Sequence, residues 1–389
     1  MGKNNSWNWG HIVVFLWLLY WAQGPILGEG GMLATILASG LLLLSIVHFI
    51  RVNISGNLPR TIKALDALVI LFTIQGVYNL IRGDITGYFP SYFYLKTYWI
   101  SLLPVYSFYY YSKKGKYSEK FLRISFVFIL VAFIGMFFYN QKIALQRLNV
   151  EETTNNIGYE FVSLIPFLYL FRDKRKIQMV WAVVLMFFIL TCFKRGAILV
   201  GAVSLAVFMY SGFLHSSRRG KFGAVVLALI VIGFGAYYVG HLLETSTYFL
   251  NRVEDTLEGN SSNRDIIYGG IWDFYLHKAS FVQQIFGGGA DFSFKIVGTY
   301  AHCDWLQFLV DTGLIGVILY FAFCVSLYKD TRSLRKQVPL QGHIIILVLI
   351  ELIIISVFSM SIIELMMPYQ LMLGYCLAGL HSSFRSRFN

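Results

Sequence analysis

Twelve runs of apolar residues, each long enough or nearly long enough to cross roughly 30 Å of hydrocarbon, decide what this chain can fold into. They lie at about 12–28, 32–50, 62–81, 97–112, 120–139, 158–171, 177–193, 196–214, 222–243, 305–327, 342–363 and 365–381. Read as helices, they predict an all-α polytopic membrane protein of about twelve spans; the fourth, sixth and twelfth runs are short or interrupted, so eleven is the alternative count. Residues 1–243 would hold helices 1 to 9, residues 244–304 one long loop with short amphipathic helices, and residues 305–389 helices 10 to 12. The chain is 57% hydrophobic and 13% charged, too apolar for a soluble fold. The run at 12–28 follows a single Lys3 with no small-residue cleavage pattern after it, so it reads as an uncleaved first span.

Orientation follows from the 32 Lys and Arg residues. With the N-terminus inside, the loops on that side collect residues such as Arg51, Lys113, Lys114, Lys116, Arg172, Lys174, Lys329, Arg332, Arg335 and Lys336. The positive-inside bias then places both termini in the cytoplasm and the long loop outside. The same bias explains the net charge of +12 without invoking nucleic acid, which is not expected as a partner. Ten positive residues oppose it: Arg82, Lys96, Lys142, Arg147, Lys194, Arg195, Arg252, Arg264, Lys278 and Lys295. Some of these need another reason to be there. The aromatic clusters from Tyr88 to Tyr94 and from Tyr106 to Tyr111 read as interfacial belts.

Four cysteines, Cys192, Cys303, Cys324 and Cys376, have neither disulfide nor zinc spacing. No D-x-D or other paired acidic metal motif lies on the outer side, and there is no phosphate-binding glycine loop and no Gly-x-Ser-x-Gly. No cofactor or metal is therefore expected, and arginines would have to hold any phosphate charge. Ser262-Asn263-Arg264-Asp265 opens a helical pattern with Ile267, Ile271, Phe274 and Lys278, with Arg264 in a first turn that favours anions. Lys194-Arg195-Gly196 forms a hairpin tip between two spans, suited either to lipid headgroups or to an anion. His302 and Asp304 open the tenth span: an imidazole suits proton transfer near neutrality, while Asp304 serves equally as a helix N-cap. Gly287-Gly288-Gly289 reads as a tight turn or an anion-binding nest. Asp311-Thr312-Gly313 with Gly316 reads as a close-packing face. Asn155-Asn156-Ile157-Gly158-Tyr159 is polar enough to line a cavity or to cap a helix.

The block Ala301-His302-Cys303-Asp304-Trp305-Leu306-Gln307, followed by Gly313-Leu314-Ile315-Gly316, resembles the signature of the O-antigen polymerase and O-antigen ligase superfamily. Arg264 ahead of Trp272, Arg195-Gly196 and the entry from Asn155 to Pro166 resemble its other outer-side blocks. Cys303 stands where that family more usually has Asn or Ser. The resemblance implies a C-type glycosyltransferase fold in the bacterial inner membrane, acting at its periplasmic face on an undecaprenyl-pyrophosphate-linked oligosaccharide. Arg195 and Arg264, with Arg252 as a further candidate, would hold the pyrophosphate; His302, supported by Asp304, would activate the acceptor hydroxyl. Asn156, Tyr159, Lys194 and Gly288 would line the substrate site. The leading expectation is a metal-independent, inverting polymerase, which leaves room for a chain-length regulator protein as partner. The alternatives are a ligase acting on lipid A core and, from another class, a transporter of lipid-linked oligosaccharide.

Overall fold

The computed structural model describes residues 9–27, 31–83, 91–148, 153–214, 218–259, 263–362 and 365–385, and among these every regular element is helical. The first half runs α1 (Trp9–Leu27), α2 (Met32–Ile54), α3 (Arg60–Arg82), α4 (Ser91–Leu102), α5 (Pro104–Lys113) and α6 (Glu119–Leu148). Next come α7 (Gly158–Val162), a 3₁₀ segment (Ile165–Phe171), α8 (Arg175–Thr191), α9 (Arg195–Leu214) and α10 (Arg218–Thr245). A region of short helices follows: α11 (Thr247–Leu257), α12 (Arg264–Asp273) continuing as a π turn (Phe274–Lys278), α13 (Phe281–Phe286) and α14 (Ser293–Val297). The chain closes with α15 (Asp304–Gln337), α16 (Pro339–Phe358) and α17 (Met367–Arg385).

Proline sets several of these boundaries, because it lacks the N–H that an interior helical position must donate. Pro104 ends the fourth apolar run as a single helix and restarts it as α5; Pro339 starts α16; Pro166 accompanies the change from α7 to the 3₁₀ segment.

Among the described residues, seven helices, α2, α3, α6, α9, α10, α15 and α16, are long and apolar enough to cross a membrane. The chain is thus a polytopic membrane protein. The other five sequence runs correspond to α1, the pair α4 and α5, Gly158–Phe171, α8 and α17. Exposed apolar side chains such as Leu43, Ile74, Phe128, Val131, Leu229, Ile232 and Phe321 make sense against lipid. Only 6% of the apolar window of α10 is buried although it packs on α8 and α9, so the remaining apolar face needs an apolar solvent.

Contacts gather the helix ends at two ends of the bundle. At one end Tyr117 donates to the Gly10 carbonyl at 2.9 Å, Arg172 pairs with Glu119 at 3.1 Å, and the Thr61 N–H and hydroxyl both donate to Asp330 at 2.8 Å. Here too the Arg335 backbone lies against Gly342. At the other end the Asn155 N–H donates to the Cys192 carbonyl at 2.9 Å, Gln75 Nε2 to the Phe286 carbonyl at 3.2 Å, and Tyr268 to the Val357 carbonyl at 3.3 Å.

The interfacial belt expected at Tyr106 to Tyr111 is corrected by the packing. Tyr106, Phe108 and Tyr109 are completely buried, because α5 packs between α2 and α17. The Tyr106 hydroxyl donates to Asp66 at 2.6 Å, a use for the polar handle inside a core. Tyr94 is buried as well, and Tyr88 lies outside the described residues.

Candidate functional site

The second end of the bundle carries the short helices, and here α8 turns into α9. Thr191 closes α8 by donating to the Phe187 carbonyl at 3.0 Å. Phe193 then takes a left-handed conformation (φ 51) and Arg195 opens α9. A one-residue bend of this kind leaves Lys194 no room to lie along a helix. Gly196 is needed by its neighbour: a Cβ there would collide with the Tyr159 hydroxyl. Tyr159, on α7, is buried, and its hydroxyl lies beside Ser359 and in the field of Arg264.

Around this turn four cations from three segments face one another. Lys194 lies in the field of Arg195, Arg252 on α11 and Arg264 at the first residue of α12; Arg195 faces Arg252, Arg264 and one carboxylate, Asp255. Burial first, then the three guanidinium groups, pushes the Lys194 ammonium below its ordinary pKa. Neither the Lys194 ammonium nor the Arg264 guanidinium makes a hydrogen bond or ion pair with a described residue. Gathering like charges in a half-buried site is costly unless an anion completes it.

His302 completes the group. It has a positive φ of 51, and its imidazole bonds no described residue. Burial, then Arg264, then Lys194 lower its pKa below the usual 6.5. The ring is therefore neutral at physiological pH and able to accept a proton. Tyr268, one turn along α12 from Arg264, donates to the His302 carbonyl at 3.4 Å and so ties α12 to the strained residue. Burial also raises the Cys303 thiol, which keeps it protonated.

Two of the residues expected at the site turn out to be structural. Asp304 is completely buried, and its carboxylate accepts from the Ser361 N–H at 3.0 Å, the Ser361 hydroxyl at 2.5 Å, the Ile362 N–H at 3.2 Å and Tyr320 at 3.1 Å. It pins the break between α16 and α17 to the start of α15, and His302 is not among its partners. Nor is it the N-cap: that position falls on Cys303. Gly288, expected in a substrate-lining nest, is buried and its N–H is spent on the Val310 carbonyl at 2.8 Å, while Gly289 donates to the Asp311 carbonyl at 3.1 Å.

Those carbonyls are available because α15 breaks its helical geometry at Gly313 (φ 67, ψ −164). The close packing expected at Gly313 is present, since a Cβ there would collide with the Ile285 and Gly287 backbone; Gly313 is also the kink, and the glycine turn fills it. In the Asn155 to Tyr159 segment, Asn155 fixes the turn into α7: Nδ2 donates to the Phe137 carbonyl at 3.1 Å and Oδ1 accepts from the Ile157 N–H at 3.2 Å, while the N-cap, Ile157, has no side-chain cap. Asn156 is exposed, and its side chain bonds no described residue.

The expected helix from Arg264 forms, with Ile267 and Ile271 packed on Ala301, Leu306 and Val310. Its N-cap is Asn263 in a left-handed conformation with no side-chain cap; Ser262 lies outside the described residues. Ile266, Trp272 and Leu276 remain exposed, an apolar flank that fits a membrane interface. Sequence reasoning missed Tyr268 and Asp255. Tyr268 was findable, being four residues from Arg264 on one helix face.

No family model matches the chain, and no curated protein matches it.

Proposed function

We propose that the protein is a membrane glycosyltransferase, a surface-polysaccharide polymerase that moves a growing glycan from undecaprenyl pyrophosphate onto a lipid-linked repeat unit. The observation that carries this is the convergence of Lys194, Arg195, Arg252, Arg264 and His302 at one end of the bundle. Pyrophosphate supplies the multiple negative charge the cations lack, and guanidinium groups hold phosphate oxygens bidentately. The cations stabilise charge that grows on the leaving pyrophosphate as the anomeric C–O bond breaks. His302 takes the proton of the acceptor hydroxyl as its oxygen attacks the opposite face, so configuration inverts. Asp304 holds the break in the chain beside the site and has no direct part in the reaction.

On this reading the fold is a C-type glycosyltransferase with twelve crossings, in the bacterial inner membrane, with both termini cytoplasmic and residues 244–304 periplasmic. The alternating contacts at the two ends of the bundle support it. So does the winding of Ile165–Phe171: a 3₁₀ helix rises roughly 2.0 Å per residue against 1.5 Å for an α-helix. A run too short as an α-helix therefore reaches further.

The test uses the full-length protein in liposomes with a single undecaprenyl-pyrophosphate-linked repeat unit and no other acceptor, beside a His302→Ala variant. A product ladder that the variant abolishes is expected. Transfer only after adding lipid A core would make the protein a ligase, and inertness to both acceptors would remove the transferase reading in favour of transport.

A further inference from the structure

The opposite end of the bundle holds a second cationic site. A cleft of about 390 Å³ opens there, where α15 ends and α16 begins, lined by Arg332, Arg335, Lys336, Pro339 and His343. Cations in the last turn of a helix are expected from its dipole, and cations at this end from the topological bias. Neither expectation makes a concave site, since both are met by side chains splayed into water.

The cleft is open and Arg332, Arg335 and Lys336 are themselves exposed, but three features set it apart from a splayed surface cluster. Its walls are fixed: the Arg335 backbone lies so close to Gly342 that a Cβ there would collide with it, and His343 stacks on the buried Tyr169 ring at 5.9 Å. Its charge is not neutralised. Arg332, Arg335 and Lys336 form no ion pair with a described residue, and the nearest carboxylate on α15, Asp330, is taken up by Thr61. Pro339 and His343, from the first turns of the 20-residue helix α16, form its other side, so the positive dipole end of that helix lies beside it.

We propose that this cleft binds a phosphate-bearing group. Arg332 and Arg335 stand three residues apart on one face of α15 and present two planar forks to phosphate oxygens. Lys336 adds a point charge, and the volume suits a headgroup or a compact phosphate compound. An anionic phospholipid headgroup and a soluble phosphate compound share this chemistry, and the site is independent of the transfer reaction proposed at the other end.

Full-length protein in detergent is titrated with diphosphatidylglycerol and, separately, with phosphatidylcholine, and retained lipid is counted by native mass spectrometry. Wild type should retain diphosphatidylglycerol saturably. Arg332→Gln/Arg335→Gln/Lys336→Gln should bind it about tenfold or more weakly. Arg332→Lys/Arg335→Lys, which keeps the charge and removes the forks, should be weaker than wild type. Lys113→Gln/Lys114→Gln/Lys116→Gln removes three charges from the same end outside the cleft and should bind as wild type does. Inorganic pyrophosphate is titrated calorimetrically in a Lys194→Gln/Arg264→Gln background, which removes two cations of the other site. Binding lost with the cleft triple variant assigns the cleft to soluble phosphate compounds; lipid retention lost without it assigns the cleft to lipid. Equal weakening by the cleft and control triples, or no effect of the cleft triple on either ligand, overturns the proposal.

Discussion

At the scale of single residues, His302 and Asp304 are separated by one position and by their roles. His302 has a lowered pKa, so its base form persists as pH falls through 6.5, and transfer should decline only below that value. Removing a neighbouring cation reverses part of the shift. Lys194→Gln should therefore move the acidic limb of the pH–rate profile to higher pH, and an unmoved limb would show that His302 is not the titrating base. Asp304→Ala should act on stability. It leaves two N–H groups and two hydroxyls without their acceptor, a loss of roughly 3 kcal/mol or more at one to a few kcal/mol for each stranded polar group. Thermal unfolding in detergent should show it, while activity per folded molecule stays near wild type. The cations were legible in the sequence because Lys194, Arg195, Arg252 and Arg264 oppose the charge bias of the loops. The role of Asp304 was not, because adjacency in sequence does not say which way a side chain points, and two of its partners, Ser361 and Ile362, lie 57 and 58 residues away.

Among the elements, α15 and the glycine turn explain each other. Gly313 frees two carbonyls, Gly288 and Gly289 supply the donors, and Asp311 adds a carboxylate that accepts from the Asp291 N–H at 3.1 Å and the Phe292 N–H at 2.9 Å. The glycines were legible as a turn; their partner was not, since a kink inside an apolar run has no signal beyond one glycine. Gly287 (φ 79) has no space for a side chain, because a Cβ would collide with the Asp311 carbonyl. Gly298 (φ 73, ψ 5) is left-handed helical with nothing within 4 Å, whereas Gly287 (φ 79, ψ −177) holds a conformation essentially reserved for glycine. Gly298→Ala should cost about 1 kcal/mol, the backbone term alone, and Gly287→Ala several times that through its more restrictive backbone and the added collision. Equal melting shifts for the two would mean that the turn does not pack against α15. The same interior logic accounts for α5, whose tyrosines read as interfacial by composition, while Tyr106 and Tyr109 are buried by their neighbours and Tyr110 and Tyr111 half-buried.

For the whole molecule, the apolar runs made the helical, membrane-embedded class legible, since no other apolar periodicity of that length exists in the chain. They did not fix how many runs cross. Three of them are split (α4 and α5), short (α8) or partly wound as 3₁₀ helix (Ile165–Phe171), and hydropathy does not register a crossing made by a tighter helix. Contacts between helix ends carry that information, and they make a specific demand. Lys116 and Lys174 lie near the ends joined by the Gly10–Tyr117 and Glu119–Arg172 contacts, whereas Lys278 and Lys295 belong to the region of short helices. All four are exposed, while Cys192, Cys303 and Cys376 are buried and Cys324 is half-buried, so native labelling should be low. Single Lys→Cys variants at these positions should divide two and two under a membrane-impermeant maleimide on cells with a permeable outer membrane: 278 and 295 labelled directly, 116 and 174 only after the inner membrane is opened. The inverted division would place the His302 cluster in the cytoplasm, where a polymerase acting on periplasmic lipid-linked repeats has no substrate. Labelling of all four from one side would remove a crossing between residues 174 and 278, and with it the alternation on which the twelve-span topology rests.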